Sequence, residues 1–508
     1  MTAAASTPRV VIGLDVGTTA AKVSAFALGG GWRTSVSHEY PLQQPQPGWE
    51  VQDPMLVWRA LHEGLADVAT ECGAAEIVGI GVSSAMHGLI GLDEELCPIT
   101  PLLTWADSRA ADQAMRLRDT ELGRRLHRTS GTPIHSMSHL TKLLWYGENE
   151  PETLRAARWW VGLKDFLLYQ LTGELVTEVS NASGTGLLDL ATRTWNPEAL
   201  ALVGVGAERL PPVRPTTDAL PLRDDLADAL GLPRGLPVVL GAGDGPLGNL
   251  GVGALEPGVV GLSLGTSGAI RMITDRPYVD ESGKLFCYHL AQDSWVIGGA
   301  ISNGGIVVRW AGDVFGVDFA DEPGGNPDGL LLDLARDVPL GSDGLVMLPF
   351  LMAERAPLWD PTIPGAFLGV RRSHTRAHFV RAAVEGVALM LSTIVDELDR
   401  VAPIEQIRAT GGVFRSDVWR EVLMGALGRP LVITDGAEGT ALGAAALALL
   451  GLGEVDSLRD GLVQLGQDPA AGLDAVVAEP ADVAAYREVR AGIPALLERY
   501  QQVSDLFR

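Results

Sequence analysis

The sequence predicts an α/β protein that contains two similar domains. Short apolar runs rich in β-branched residues, the pattern of strands, alternate with segments of helical period. Gly, Thr or Ser follows most of these runs closely, as turn residues do at strand ends. The segment VIGLDVGTTAAK at 11–22 is echoed by VGLSLGTSGA at 260–269, about 250 residues later. Each copy has the pattern of a strand, a Gly-Thr turn and a second strand, so a duplicated domain is predicted.

The elements follow from the same periodicities, taken in chain order. Strands are predicted at 10–14, 77–82, 237–240, 259–264 and 407–409. Helices are predicted at 54–71, 109–128, 163–171, 376–401, 417–427 and 440–450. Two segments rich in Pro and Gly predict loops, at 210–221 and 322–328. The most apolar stretch, 441–452, predicts a buried helix, because crossing a membrane takes ~20 apolar residues.

The composition is that of a folded, acidic protein with more than one domain. The 508 residues are 46% apolar and 20% charged, which excludes a disordered chain. At ~150 residues per domain, the length predicts two large domains or three smaller ones. Lys and Arg number 39 against 63 Asp and Glu, a net charge of −24. So acidic a surface repels phosphate backbones and anionic lipid, and neither nucleic acid nor a membrane is expected as a partner.

The three cysteines, Cys72, Cys97 and Cys287, lie far apart in the sequence. Their spacing excludes a disulfide framework and a zinc site built of cysteines, and it favours the reducing cytoplasm. The first residues, MTAAASTPR, lack the basic and apolar regions of a signal peptide. The sequence therefore predicts a cytoplasmic protein.

The two Gly-Thr turns have the composition of a phosphate site. The first consists of Gly17, Thr18 and Thr19, and the second of Gly265, Thr266 and Ser267. Glycine allows the backbone to approach a ligand closely, and successive N–H groups and hydroxyls donate to phosphate oxygens. We expect each turn to grip one side of a bound phosphate chain. Two ordinary hairpin turns are the alternative.

Charged residues flank the first turn. Asp15 ends an apolar strand, where a carboxylate is costly unless it is paired and where it could orient Mg²⁺. Lys22 follows the turn. It is expected either to neutralise phosphate charge or to be a solvated surface lysine.

Asp244 is the candidate catalytic residue. It follows the apolar strand at 237–240, in the glycine-rich segment GAGDGPLGN that opens a helix. The glycines clear space for a ligand, and an ionised aspartate beside a substrate hydroxyl can align it and accept its proton. The alternative is an aspartate that only caps the helix.

Two further segments contain candidates for binding a polyol or a sugar. Met86 and His87 come soon after the strand at 77–82, and His87 could hydrogen-bond a hydroxyl or a carboxylate. Trp105 offers an apolar face to sugar C–H groups, and Asp107 and Arg109 offer polar contacts. The alternatives are an incidental histidine and a core tryptophan. The segment TGGVFRSD at 410–417 would let the backbone approach a flat base or its ribose.

Several enzyme classes are excluded by their motifs. The string GLSLG at 261–265 matches the hydrolase pattern, but a strand follows it where a nucleophile elbow needs a helix. His374 and His378 lie four residues apart, but no Glu follows His374 as in a zinc protease. The chain has no P-loop motif and none of the protein-kinase motifs.

The remaining motifs resemble the FGGY carbohydrate kinases, whose fold is that of the actin/hexokinase-like (ribonuclease H-like) ATPases. GAFLGV at 365–370, seven residues and then HFVRAAVE at 378–385 match one family signature at every constrained position. A second signature agrees at Met137, Lys142, Leu143, Trp145, Glu148 and Asn149. It departs at His139, where Pro, Ser or Thr is usual, and at Tyr146, where an aliphatic residue or Phe is usual. The resemblance runs from about residue 10 to about 450.

The resemblance implies two ATPase domains with a cleft between them, which bind ATP, Mg²⁺ and a sugar. It places the acceptor site, the first phosphate turn and the catalytic aspartate in 9–255, the nucleotide site in 256–450, and a helical extension in 451–508. Asp244 matches the catalytic base of the family. The positions that match its substrate pocket are Met86, His87, Trp105 and Asp107. Those that match its nucleotide and metal sites are Asp15, Thr18, Thr19, Gly265, Thr266, Gly305, Gly411, Gly412 and Ser416.

Within the family, segments 103–109, 131–137 and 295–305 are similar to bacterial gluconokinases, and xylulokinases come next. The expected reaction is phosphorylation of D-gluconate to 6-phosphogluconate by ATP. D-xylulose or another sugar is the alternative acceptor, and a non-catalytic sugar-binding protein is the alternative of a different class. A gluconate carboxylate needs positive donors, for which His87, Arg109 and Lys142 are the candidates. The sequence does not decide the oligomeric state, for which a homodimer is one candidate.

Overall fold

The computed structural model describes residues 7–316, 327–434, 439–469, 471, 474–504 and 506. The chain forms two compact units, each discontinuous in sequence. Unit 1 consists of Met1–Leu255, Ile273–Ile297 and Glu438–Ala471. Unit 2 consists of Glu256–Met272, Gly298–Ala437 and Gly472–Arg508. The linear domain limits 9–255, 256–450 and 451–508 stay a prediction, and the units differ from them by taking two later segments into unit 1.

The strands before residue 256 are β1 (Arg9–Val16), β2 (Ala20–Ala27), β3 (Arg33–Glu39), β4 (Val51–Gln52), β5 (Glu76–Ser84), β6 (Ile90–Leu92), β7 (Leu102–Leu103), β8 (Trp159–Val161), β9 (Thr177–Glu178), β10 (Leu188–Asp189), β11 (Thr194–Trp195), β12 (Val213–Arg214), β13 (Ala219–Pro221) and β14 (Pro237–Gly243). The later strands are β15 (Val259–Leu264), β16 (Gly268–Thr274), β17 (Phe286–Ala291), β18 (Ser294–Ile301), β19 (Val346–Leu348), β20 (Ala366–Leu368), β21 (Gln406–Thr410) and β22 (Leu431–Ile433).

The helices before residue 256 are α1 (Pro54–Cys72), α2 (Ala111–Arg118), α3 (Glu121–Ser130), α4 (His139–Asn149), α5 (Pro151–Ala156), α6 (Leu163–Thr172), α7 (Val179–Ser183), α8 (Pro197–Val203), α9 (Asp224–Leu230) and α10 (Asp244–Gly251). The later helices are α11 (Ile306–Phe315), α12 (Pro327–Ala335), α13 (Arg376–Val401), α14 (Asp417–Leu427), α15 (Gly439–Gly451), α16 (Leu458–Gln464) and α17 (Pro480–Ser504).

Two mixed six-stranded sheets organise the chain; they share the order of five strands, and the sixth strand, β13 or β17, lies at opposite edges. The first has the order β13-β14-β5-β1-β2-β3, and the second has the order β17-β18-β16-β15-β21-β22. In the first sheet β1 pairs antiparallel with β2 and parallel with β5. In the second, β15 pairs antiparallel with β16 and parallel with β21. The predicted duplication is confirmed, because each Gly-Thr turn joins the first two strands of an equivalent sheet.

Most predicted elements are present, and two predictions were wrong. The predicted helix 109–128 is two helices, because the Thr120 side chain accepts a hydrogen bond from the Gly123 N–H and begins α3 anew. The predicted loop 210–221 contains the short strands β12 and β13. Of the predicted loop 322–328, residues 322–326 lie outside the described residues, and the last two begin α12.

Helix α15 is the buried apolar helix that the sequence predicts. It packs on β1 and β5 at two glycines, where any larger residue would collide with its backbone. A Cβ at Gly13 would overlap the Ala441 carbonyl, and one at Gly81 would overlap the Ala444 carbonyl. The glycines thus let α15 lie directly against the strands that end at the first Gly-Thr turn and at the Met86 loop.

Helix α13 is the one helix of the described residues long and apolar enough to cross a membrane, but 83% of its apolar window is buried inside the protein. It contains the buried pair Arg381 and Glu385, whose Nε and Oε1 lie 3.2 Å apart. Glu385 also accepts hydrogen bonds from the Ser342 hydroxyl and the Tyr486 hydroxyl, both at 2.9 Å. These signature residues therefore hold α13, a neighbouring loop and α17 together in unit 2.

Candidate active site

The first Gly-Thr turn is held in place by side chains from three other segments. The Tyr40 hydroxyl donates to the Gly17 carbonyl at 2.6 Å, and the Gln52 amide donates to the Thr18 carbonyl at 2.7 Å. The Trp105 indole N–H donates to the Thr18 hydroxyl oxygen at 2.8 Å. As an acceptor from Trp105, the Thr18 hydroxyl keeps its own O–H free to point away from the indole, toward a ligand. Thr19, next in the turn, is exposed.

Asp15 lies beside two charged groups. It is paired with Lys22 in the register of β1 and β2, so the two side chains lie on the same face of the sheet. Burial and, to a smaller extent, the negative charge of Asp244 raise the pKa of Asp15 to about 7, and the positive charge of Lys22 opposes both effects. Two carboxylates close enough to repel each other form a donor set that suits a divalent cation.

Asp244 is the first residue of α10, and Gly243 occupies the N-cap position. The alternative of a capping aspartate is therefore incorrect, although the carboxylate does accept a hydrogen bond from the Gly245 N–H at 2.7 Å. Gly243 is paired with Ser84 at the end of β5, and a Cβ on it would lie 2.5 Å from the Met86 sulfur. The glycine of the turn thus brings Asp244 next to the Met86 loop.

A small pocket in unit 1 contains two of the predicted acceptor residues. It is partly open to solvent and is lined by Thr18, Gln52, Ala85, Met86, Gly88, Leu102, Thr104, Trp105 and Leu163. Trp105 and Thr18 therefore face one space, so a group held against the indole would lie next to the first Gly-Thr turn.

His87 adjoins this pocket in a strained backbone conformation, with φ of 68°. Its Nδ1–H donates to the Gly184 carbonyl at 2.8 Å, which fixes the tautomer and leaves Nε2 as an acceptor in the neutral ring. The Tyr288 hydroxyl lies 3.5 Å from Nε2. The ring is thus oriented by the protein, with Nε2 toward Tyr288.

Asp107 lies outside the lining of the pocket, and its predicted contact with substrate stays a prediction. Its side chain is fully buried, and both carboxylate oxygens accept from Arg109 at 2.8 Å. One of these oxygens also accepts from the Glu50 N–H at 3.0 Å. The Arg109 side chain is also held within the protein, since its guanidinium lies 3.8 Å above the Trp49 ring centroid and the side chain is only 4% exposed. The pair supports the Trp105 loop from behind.

Lys142 is not available to a substrate carboxylate either. It is fully buried, and its Nζ donates to the carbonyl oxygens of His87 at 2.7 Å, Leu103 at 3.2 Å and Thr104 at 2.7 Å. Of the three positive donors expected for gluconate, only His87 remains in place for that role. Lys142 instead fastens the Met86–His87 loop to the Trp105 loop.

His139, where the chain departs from the family signature, has a structural role as well. Its Nε2–H donates to the Gly88 carbonyl at 2.7 Å. Burial and the nearby charge of Lys142 together lower the pKa of His139 to about 3, so the ring is neutral at physiological pH. It holds a residue of the pocket wall without touching the pocket.

The second Gly-Thr turn, in unit 2, is fastened to the start of helix α11. The Gly305 N–H donates to the Gly265 carbonyl at 2.7 Å, and the Gly304 N–H donates to the Thr266 carbonyl at 3.0 Å. A Cβ at Gly305 would lie 2.8 Å from that same Gly265 oxygen. The close approach of the turn to α11 therefore requires glycine at position 305. This approach places the positive end of the α11 dipole beside the turn.

Five of the predicted nucleotide-binding residues meet at one cleft of unit 2. The cleft is lined by Gly265, Thr266, Gly305, Val308, Arg309, Gly329, Leu332, Asp333, Arg336, Gly412, Val413, Arg415, Ser416, Asp417 and Trp419. A Cβ at Gly265 or at Gly412 would meet nothing within 4 Å, so both glycines face open space. Ser267 and Gly411 lie outside the lining, in or beside the same turns.

The lining includes arginines that the motifs did not reveal. Neither Arg309 nor Arg415 has an ion-pair or side-chain hydrogen-bond partner within the part of the chain that the structure describes. Arg336 is paired with Asp333 and Asp417. Free guanidinium groups beside a glycine turn are suited to an anion. Arg415 lies within the segment TGGVFRSD, but no role was predicted for it, and Arg309 comes from α11, which only folding brings to that turn.

Gly411 lies where the backbone of Leu264 approaches closely, and its replacement by alanine tests how much the fold depends on that approach. Gly411→Ala is expected to destabilise the protein by ~3 kcal/mol, a fall in Tm of about 6–12 °C, because φ of 129° excludes a side chain and the new Cβ would overlap the Leu264 carbonyl. Thermal melting checks this. Gly412→Ala is the matched control and should melt within about 2 °C of wild type; equal melting of both variants would contradict the prediction.

Comparison with known proteins agrees with this architecture. The model of the FGGY family of carbohydrate kinases, N-terminal domain, matches residues 10–251, and that of the C-terminal domain matches residues 260–452. The chain is 38% identical over 453 residues to a gluconokinase of Bacillus subtilis, covering 88% of each chain.

Two solved structures share the fold over nearly the whole chain. The gluconate kinase from Lactobacillus acidophilus superposes with a TM-score of 0.89 and 33% identity, over 98% of this chain and 99% of that one. The ligand-bound xylulose kinase from Lactobacillus acidophilus gives a TM-score of 0.90 and 33% identity, over 98% and 100%. The fold is thus the predicted two-domain α/β architecture. The chain belongs to the FGGY family of carbohydrate kinases, and is an enzyme whose substrates are ATP and a sugar or sugar acid.

Proposed function

We propose that this kinase transfers the γ-phosphoryl group of ATP to the 6-hydroxyl of D-gluconate, with Asp244 as the general base. The observation that carries the proposal is the position of Asp244 at the start of α10. There its carboxylate lies close enough to Asp15 to raise the pKa of that group, and its glycine neighbour touches Met86. A base that only aligns an alcohol and accepts its proton late needs little more than this placement.

The first turn and its charges would handle the phosphoryl group in unit 1. Gly17, Thr18 and Thr19 offer N–H and hydroxyl donors, and Lys22 offers a positive charge. Asp15 would hold Mg²⁺; no larger cluster of metal-binding side chains occurs among the described residues, but one carboxylate with phosphate oxygens and waters suffices for this ion. When bound, Mg²⁺ neutralises phosphate charge.

The cleft in unit 2 would bind the nucleotide. Gly265, Thr266 and Ser267 would donate to phosphate oxygens at the N-terminus of α11, where Gly305 permits the approach. Gly411 and Gly412, with Ser416 nearby, would let the base or ribose lie against the backbone. The guanidinium groups of Arg309 and Arg415 would add positive charge for the phosphates.

Gluconate is the favoured acceptor because the relative at 38% identity is named a gluconokinase. In the pocket, Trp105 and Met86 would contact the carbon chain, and His87 would contact a carboxylate or a hydroxyl through Nε2. D-xylulose is the second candidate, since the xylulose kinase superposes as well as the gluconate kinase does. The proposed compartment is the cytoplasm, in keeping with three cysteines that form no disulfide.

A panel of acceptors decides between these assignments. Coupled measurement of ADP release with D-gluconate, D-xylulose, glycerol and other sugar acids should give a kcat/KM for gluconate at least about tenfold above the others. A higher kcat/KM for D-xylulose would overturn the gluconate assignment and leave the kinase intact. Calorimetric binding of gluconate without ADP release would instead indicate a binding protein.

A further inference from the structure

A buried ion pair lies behind Asp244. Lys164 on α6 and Glu178 just before α7 have an Nζ–Oε1 distance of 2.9 Å, and both side chains are fully buried. Apolar residues of similar size usually stabilise an interior as well as a buried ion pair does. Stability therefore does not account for these two charges. The backbone groups that they bind indicate a different role.

Glu178 holds the start of helix α7. Its Oε2 accepts the Ser180 N–H, and its Oε1 accepts the Asn181 N–H at 3.0 Å in addition to the Lys164 ammonium. Both carboxylate oxygens are thus occupied, and α7 is only five residues long. A helix this short depends on its cap.

Ser180 connects this capped helix to the catalytic turn. Its Oγ accepts the Gly243 N–H at 3.2 Å, and Gly243 is the residue directly before Asp244. A continuous path of hydrogen bonds therefore runs from the Lys164 ammonium through Glu178 and Ser180 to the backbone that carries the Asp244 carboxylate. Lys164 also lies near enough to Asp244 for their charges to interact.

We propose that Lys164, Glu178 and Ser180 are positioning residues for Asp244, and that they act by fixing the backbone at Gly243. The proposal rests on the proposed role of Asp244 as the base. A glycine flanks Asp244 on each side, so the turn has little stiffness of its own. Because misplacing a reacting group by ~1 Å can cost ~10²-fold in rate, an external anchor at this point governs kcat.

The cleanest test removes one hydroxyl. Ser180→Ala should lower kcat by about tenfold and leave both KM values within about twofold of wild type, because the substrates still bind but the base is less well aligned. Ser183→Ala is the matched control: Ser183 is on the same helix and fully buried, but its Oγ contacts Ser180 O and the His289 N–H instead of Gly243. Its kcat should stay within about twofold.

The ion pair is tested by loss and rescue. Lys164→Met should lower kcat by ~10²-fold, because it leaves the Glu178 carboxylate buried without a counter-charge. Adding Glu178→Gln should raise kcat about tenfold above that of Lys164→Met, since the amide oxygen still accepts one of the two N–H groups of α7 and no lone charge remains. Thermal melting of every variant shows whether it is folded.

Two results would overturn the inference: wild-type kcat in Ser180→Ala, or equal kcat losses in Ser180→Ala and Ser183→Ala. Failure to rescue Lys164→Met would restrict the anchor to Ser180 and so contradict the role of the ion pair. An active Asp244→Asn variant would refute the proposed function itself. An inactive Asp244→Asn with a fully active Ser180→Ala would refute only the anchor.

Discussion

Asp244→Asn is expected to lower kcat by ~10²–10⁴-fold while the KM for ATP stays within about threefold. Asparagine keeps the size of the side chain and an oxygen for the Gly245 N–H, which donates to Asp244 at 2.7 Å. It cannot accept the proton of the acceptor alcohol. Steady-state kinetics at saturating acceptor measure the change, and purification in a strain without sugar kinases excludes contaminating activity.

A matched control is available elsewhere in unit 1. Asp224 is the first residue of helix α9, as Asp244 is of α10, but it is exposed on the surface. Asp224→Asn should retain kcat within about twofold. Turnover near the wild-type rate in folded Asp244→Asn would eliminate this residue as the base.

Asp15→Asn is expected to impair catalysis and to stabilise the protein. Loss of a carboxylate from the proposed Mg²⁺ site should lower kcat by ~10²-fold. In the metal-free protein, burial and the charge of Asp244 raise the pKa of Asp15 from 3.8 to about 7, which means that folding disfavours its ionised form. Removing that charge should raise the unfolding free energy at pH 8 by about 1–3 kcal/mol, reduced from the full shift because Asp15 is partly exposed.

The pH dependence gives the sign of this effect. A carboxyl whose pKa is raised in the folded state binds protons more tightly there, so its contribution to stability is largest below pH 4. That contribution falls as the pH rises from about 4 to about 7 and is constant above. The Tm difference between Asp15→Asn and wild type, measured in EDTA, should therefore grow over this range and then level off.

Asp107→Asn is the opposite control. Its carboxylate is buried against Arg109, so removing the charge should destabilise the protein by about 3 kcal/mol or more at neutral pH.

A Tm for Asp15→Asn equal to wild type at pH 8, or lower, would contradict the repulsion between Asp15 and Asp244. Added Mg²⁺ should raise the Tm of wild type and leave Asp15→Asn nearly unchanged.

The sequence was most informative where backbone conformation and chemistry require the same residue. Gly305 is the clearest case, because a Cβ there would lie 2.8 Å from the Gly265 carbonyl, whereas Gly17 and Gly265 have space beside them and leave their turns open to a ligand. Such turns have a recognisable composition, so the duplicated strand-turn-strand pattern was visible without any structure. The start of α10 at Asp244 followed from the same logic.

The sequence was least informative about charged residues near the pocket. Lys142 and Arg109 were expected to reach a substrate carboxylate, but three carbonyl oxygens hold the first and the Asp107 carboxylate holds the second. The identity of a charged residue in a motif is the same whether it binds a ligand or forms hydrogen bonds with buried backbone groups. Whether the side chain is buried, and which distant residues it contacts, decides between these two roles. The motif itself contains no information about either.

The discontinuity of unit 1 has a consequence for how the chain matures on the ribosome. The two glycine positions of β1 and β5 are covered by α15, whose residues are synthesised more than 350 positions after those of β5. Until α15 has been synthesised, the apolar surface of β1 and β5 that it covers is exposed to water and accessible to chaperones. A nascent chain halted before residue 439 should therefore be digested by protease within its first 250 residues, although every strand of that sheet has already emerged.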